Sequence, residues 1–94
     1  MKDEIVRREE SPHKGAWVIE RDGEVLAGLY YTGAPGLVIL EHTDVSDALR
    51  GTGAGKRLVE AAAEWARDSK VKLMPLCPFA KSVFDKNPAL RDVL

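Results

Sequence analysis

Arg50-Gly51-Thr52-Gly53-Ala54-Gly55 stands between an apolar, β-like run that ends at Val45 and an amphipathic stretch that starts near Lys56. A glycine-rich loop opening onto a helix gathers unpaired backbone N–H groups and the positive end of the helix dipole at one point, which favours a phosphate or pyrophosphate. Spacing decides which kind. A P-loop needs four residues between its first glycine and Gly-Lys-Ser/Thr, whereas Gly51 and Gly55 enclose three, and Arg57 follows Lys56. A dinucleotide fingerprint needs Gly or Ala three residues after its second glycine, where this chain has Lys56 in one register and Leu58 in the other. What remains is Arg-x-x-Gly-x-Gly at Arg50, Gly53 and Gly55, which is either an anion cradle or a plain strand-to-helix turn.

Upstream of the loop the chain reads as strands. Ile5–Glu9 and Ala16–Glu20 are short β-like runs around a turn rich in breakers, Ser11–Gly15. Asp22-Gly23 between apolar runs signals a tight hairpin, Glu24–Thr32 follows as a strand, and Gly33-Ala34-Pro35-Gly36 turns the chain into Leu37–Val45. The expectation is an antiparallel meander of about three or four strands. Downstream the period changes. Leu58, Ala61, Ala62, Trp65 and Ala66 recur at spacings of three and four, opposite Arg57, Glu60, Glu64, Arg67 and Asp68, so a helix is predicted over about residues 54–69. Val71–Leu76 suits a strand that returns beside Leu37–Val45 in a βαβ unit, with the glycine loop at the carboxyl end of its first strand. Pro78 then opens a helix through Phe84, Asn87-Pro88 ends it, and Ala89–Leu94 forms a terminal turn. The fold class is α+β, with a mostly antiparallel twisted sheet and two or three helices, and residues 1–94 are expected to form a single domain.

Composition narrows the function. Fourteen basic and fifteen acidic residues leave a net charge of −1, so no field over the whole chain favours nucleic acid or an anionic membrane. Two each of Trp, Tyr and Phe, none within a basic stripe, argue the same way against nucleic acid. One cysteine, Cys77, excludes an internal disulfide and suits a reducing compartment. No apolar run approaches membrane-spanning length, and the acidic start Met1-Lys2-Asp3-Glu4 lacks a signal-peptide profile. A cytoplasmic domain is expected.

Asp22-Gly23, His42-Thr43-Asp44-Val45, Arg50–Gly55, Pro75-Leu76-Cys77-Pro78-Phe79 and Asn87-Pro88 occur in an order and spacing that resembles the small, stand-alone GCN5-related N-acetyltransferase-like (GNAT) family of YjdJ-type proteins. The resemblance covers nearly the whole chain. It implies a minimal GNAT fold in which the fourth and fifth strands, here Leu37–Val45 and Val71–Leu76, splay apart and admit the pantetheine arm of an acyl-CoA. Larger relatives carry one or two helices between their first two strands that help hold the acyl acceptor, and Ser11–Gly15 leaves no room for them. By the same resemblance Val45 meets the pantetheine through its backbone, the segment Gly51, Thr52, Gly53, Ala54 and Gly55 cradles the pyrophosphate, and Arg50 and Lys56 supply charge. Arg57 reads equally as a solvated helix residue, and Asn87 reads as a helix stop.

Acetyl transfer to an amine needs a base, a donor for the thioester oxygen and an acid for the departing thiolate. Glu41 and His42 are the base candidates. As neighbours on a strand they are expected to face opposite sides, so that only one reaches the cleft. Many superfamily members place a tyrosine acid in the last long helix, where this chain has Val83 and Phe84, which turns attention to Cys77. A helix start and Lys81 one turn on favour its thiolate, while Leu76 and Phe79 would bury it. The implied function is an acetyl-CoA-dependent N-acetyltransferase acting on a small-molecule amine, a protein lysine or an N-terminus, with no metal. The alternative is a CoA-binding module of little activity that works through a protein partner.

Overall fold

The computed structural model describes residues 3–94. In chain order it contains β1 (Glu4–Ser11), β2 (Lys14–Arg21), β3 (Glu24–Ala34), β4 (Leu37–Val45), a short 3-10 turn (Asp47–Leu49), α1 (Ala54–Ser69), β5 (Lys72–Pro75), α2 (Pro78–Lys86) and a closing 3-10 turn (Pro88–Val93). The strands lie side by side in chain order in one five-stranded sheet. β1 to β4 are antiparallel, and β5 returns parallel to β4 through α1, as the βαβ reading requires.

Turn chemistry sets the meander. Asp22 and Gly23 both take positive φ, 51° and 82°, the combination a two-residue hairpin needs to match the strand twist. Gly36 takes φ 74° in the Pro-Gly turn between β3 and β4. The first turn is tighter than the breakers suggest. β1 and β2 run on until only Pro12 and His13 lie between them, so Lys14 and Gly15 are strand residues and not part of a loop. Gly15 is needed for close approach: a Cβ there would sit 2.4 Å from the Tyr31 hydroxyl and 2.6 Å from the Arg8 carbonyl.

Both helices cover one face of the sheet. Leu58, Val59, Ala62, Ala63 and Ala66 of α1 are fully buried against Trp17, Ile19, Leu29 and Tyr31, the alanines letting the helix lie close to the strands. Ala80, Val83 and Phe84 of α2 complete this core. The α2 carboxyl end is closed by side chains: Asn87 Nδ2 donates to the Val83 carbonyl at 2.6 Å, and Arg91 Nε donates to the Phe84 carbonyl at 2.9 Å. Asn87 is thus a helix stop, as its sequence context suggests. A bidentate pair from Arg67 to Asp92, both bonds 2.7 Å, ties the last turn back to α1. Among the described residues no helix is long and apolar enough to cross a membrane.

Candidate active site

The site begins where a strand loses its neighbour. β4 and β5 pair from Leu37 with Lys72 to Leu40 with Pro75. The amides of Leu76 and Cys77 then both donate to the Leu40 carbonyl at 3.0 Å, and the chain turns away into α2 at Pro78. β4 continues through Glu41–Val45 with β3 alone beside it. The strands therefore splay after Leu40, leaving the N–H and C=O groups along one edge of the second half of β4 available to a ligand.

A cleft of about 390 Å³ opens at this divergence. Thr43, Asp44 and Val45 line it from β4, Arg50, Gly51 and Gly53 from the loop, and Phe79 from α2. Gly51 and Gly53 hold φ 77° and 81°, and nothing lies within 4 Å of where their Cβ atoms would be, so a ligand can lie against bare backbone. Gly53 is the N-cap of α1. It makes no side-chain cap, and the first turn of the helix carries no acidic residue, which leaves these amides and the dipole facing the cleft. Gly55 differs. A Cβ there would lie 2.6 Å from the Phe79 ring, so this glycine lets the two helices meet, a packing role the spacing alone does not distinguish from phosphate approach.

The charges around the loop are exposed at the surface. Arg50 pairs with Asp47 at 3.0 Å, with both side chains largely solvent-exposed, so the guanidinium can exchange its partner for an anion. Thr52 turns its hydroxyl back to the Leu49 carbonyl, and Ala54 is buried beneath the loop and lines the cleft. Lys56 is exposed on the first turn of α1, outside the cleft lining.

Cys77 sits at the apex of the splay, 5% exposed, with Sγ 3.3 Å from the Thr43 hydroxyl. Burial pushes the thiol up. The Thr43 hydroxyl and the backbone N–H groups of Ala80 and Phe79 at the α2 start outweigh it, so the thiol lies below its ordinary value. The thiol faces the helix side of the sheet, among α2 and the core.

Glu41 and His42 are on the other side, and both of them are. Tyr30 pairs with His42 but Tyr31 pairs with Leu40, so Glu41 is an extra residue in β4, a β-bulge. The bulge breaks the two-residue alternation and overturns the expectation that these neighbours face apart. Glu41 accepts a hydrogen bond from the Thr32 hydroxyl, and the His42 imidazole stacks on Tyr30 with ring centroids 4.5 Å apart and planes at 20°. Thr32 and Tyr30 share one face of β3, the face without helices, and Glu41 and His42 border one shallow pocket there. The base candidates and Cys77 therefore approach the splay from opposite faces. Thr43 was not singled out from sequence beyond its place within His42–Val45, and its contact with Cys77 depends on the fold. Phe79 was expected to bury Cys77, but it is itself 43% exposed and lines the cleft with its ring against Gly55.

Residues 16–93 match the family profile described as GCN5-related N-acetyl-transferase. The chain belongs to the GCN5-related N-acetyltransferase family. Its structure is similar to a GCN5-like protein from Staphylococcus aureus, at 32% identity and a TM-score of 0.69, over 96% of this chain and 85% of that one. It is also similar in fold to a ribosomal-protein-alanine N-acetyltransferase from Brucella melitensis biovar Abortus 2308, at 18% identity and a TM-score of 0.68, over 83% of this chain and 63% of that one. The aminoglycoside acetyltransferase AAC(6')-Iy, solved with the bisubstrate analogue CoA-S-monomethyl-acetylneamine, shares the fold at 18% identity and a TM-score of 0.55, over 86% of this chain and 63% of that one. This chain thus spans under two thirds of the length of the latter two family members. No curated protein matched it. In this chain the link between β1 and β2 is two residues, Pro12 and His13, with no helix there.

Proposed function

We propose that the chain is one acetyltransferase domain that moves an acetyl group from acetyl-CoA to an amine. The observation that carries this reading is the end of β4–β5 pairing at Leu40, directly above a glycine loop whose helix start faces the cleft. Gly51 and Gly53 with the α1 amides would hold the pyrophosphate, Arg50 would add charge, and the free edge of Thr43–Val45 would pair with the amide groups of pantetheine. When bound, acetyl-CoA supplies the activated thioester. The carbonyl carbon would then lie near the apex of the splay, within reach of both faces.

The amine enters from the helix-free face in this reading. His42 or Glu41 takes the proton from the ammonium, the freed nitrogen attacks the thioester carbon, and the C–S bond breaks as the amide forms. Cys77, on the far side, handles the sulfur. It either protonates the departing CoA thiolate or, as thiolate, first accepts the acetyl group itself. Without helices between β1 and β2 the acceptor face is open, which suits an amine on a protein or peptide as well as a small molecule. The comparisons lend no support to a binding module without activity.

The test is CoA release from acetyl-CoA across a panel of small amines, lysine peptides and peptides with free N-termini, alongside calorimetric titration with CoA, ADP and NAD. Turnover with at least one amine and a clear preference for CoA over NAD are expected. Equal affinity for NAD would overturn the pantetheine assignment, and tight CoA binding with no turnover on any amine would overturn the enzymatic one.

A further inference from the structure

The acceptor face contains a side chain to which neither the sequence reading nor the reaction above gives a role. Tyr30 lies on β3 directly opposite His42, and its ring is the one on which the imidazole stacks, 4.5 Å between centroids and 20° between planes. The ring does not stand upright from the sheet. It leans back over Gly28, where a Cβ would come within 2.9 Å of Cε2, Cζ and the hydroxyl oxygen. Residue 28 must therefore lack a side chain for Tyr30 to lie where it does. The bulge at Glu41 then sets His42 opposite Tyr30 and Glu41 within reach of Thr32, so two β3 side chains two residues apart each hold one base candidate.

We infer that Tyr30 is a positioning residue: seated on Gly28, its ring holds the His42 imidazole flat and so fixes the direction in which the ring nitrogens project over the acceptor face. The inference rests on the assignment of His42 to the acceptor proton. His42 is exposed, and without a surface to lie on, its imidazole would sample several χ1 and χ2 states. A base acts only when its nitrogen is within about 2.6–3.2 Å of the proton it takes, so restricting those states raises the fraction of encounters that are productive. The phenolic hydroxyl is not required for this, and the flat ring is. The competing account is a cross-strand aromatic pair that stabilises the β3–β4 ladder and nothing more.

Three variants of the full chain separate the two: Tyr30→Phe, which keeps the ring, Tyr30→Leu, which removes it, and Gly28→Ala, which keeps the ring but displaces it. Two readouts are needed. The first is the NMR shift of the His42 ring C–H signals, which requires no substrate: wild type and Tyr30→Phe should show the upfield position of a proton over an aromatic ring, and Tyr30→Leu and Gly28→Ala should lose it. The second is steady-state transfer from acetyl-CoA to a peptide with a free N-terminal alanine. Tyr30→Phe should keep kcat within about twofold, and Tyr30→Leu and Gly28→Ala should each lower it roughly tenfold with KM for acetyl-CoA unchanged. Should Tyr30→Leu fail to fold by thermal melt, Gly28→Ala carries both readouts. Loss of the ring-current shift with kcat intact would overturn the positioning role and leave a structural pair. Full turnover in His42→Ala would remove the assignment beneath it and overturn it as well, whereas loss in His42→Ala without loss in Tyr30→Leu overturns this inference alone.

Discussion

Leu37–Leu40 and Glu41–Val45 are two halves of one strand, and only the first has a neighbour on both sides. In the first half Val38 and Leu40 are buried in the core and the alternation is regular. In the second, β5 has turned away, a bulge has interrupted the alternation, and Glu41, His42 and Asp44 are exposed while Thr43 and Val45 are half-buried along the cleft. In the proposed reading, stability and chemistry are thus divided along a single strand. A sheet edge with free amides is a liability in most folds, and here a charged bulge and a cleft occupy it.

The largest expected effects test that division directly. Leu40→Ala should lower unfolding free energy by about 2–5 kcal/mol in a urea titration, because it empties a fully buried site between both helices and the sheet. His42→Ala should change stability by no more than about 1 kcal/mol, the worth of a stacked exposed pair. It should instead lower kcat for acetyl transfer by about 10²-fold or more. Similar stability losses in the two variants would erase the distinction between the halves.

Cys77 lies at the boundary and should show both kinds of effect. Cys77→Ala is expected to slow turnover about 10²-fold while largely sparing CoA affinity. If the thiol accepts the acetyl group, wild type incubated with acetyl-CoA will carry a hydroxylamine-labile acetyl on Cys77 visible by intact mass, and the variant will not; if it protonates the leaving thiolate, no adduct forms and the rate still falls. Full turnover in the variant would reduce Cys77 to a core residue. The thiol is lowered in the folded state, so the fold favours its thiolate. That contribution is absent below the folded-state value and complete above the unfolded one, near 9.0. The melting-temperature gap between wild type and Cys77→Ala should accordingly widen as pH is raised toward 9.0.

The glycines allow a finer comparison. Gly36 and Gly53 share a positive φ, 74° and 81°, so alanine at either should cost about 1–2 kcal/mol of stability. Only the substitution at Gly53, or the bulkier Gly53→Val, should also abolish the rise in melting temperature produced by acetyl-CoA. Loss of that rise in Gly36→Ala too would mean that strain, and not access to the loop backbone, governs binding. The smallest effect is expected at Arg50. Its pair with Asp47 is exposed and worth about 0–1 kcal/mol, so Arg50→Ala should leave stability almost unchanged and weaken CoA binding at low salt, with the difference shrinking as screening rises.

Much of this was legible in the sequence. The bounds of β4, Leu37–Val45, and of α1, Ala54–Ser69, agree with the periodicity, because a two-residue or a 3.6-residue period and the glycine that precedes it, Gly36 or Gly53, are local properties of the chain. The Asp22-Gly23 turn and the Pro78 helix start are local in the same way. Glycine identity was legible, but its purpose was not. Gly15 was read as a turn and is a strand residue beneath Tyr31. Gly55 was read with the phosphate loop, and it does line the cleft, but only the fold shows that its missing side chain also makes way for Phe79.

From the sequence alone came the α+β class, the order of strands and helices and the place of the glycine loop, since each rests on residues close together in the chain. Tertiary structure decided that β4 and β5 part at Leu40, that Cys77 meets Thr43, and that Glu41 and His42 share a face with Tyr30 and Thr32. Each of these depends on the register between segments distant in sequence. One extra residue in that register turns a side chain from one face of a sheet to the other, and no local pattern records it.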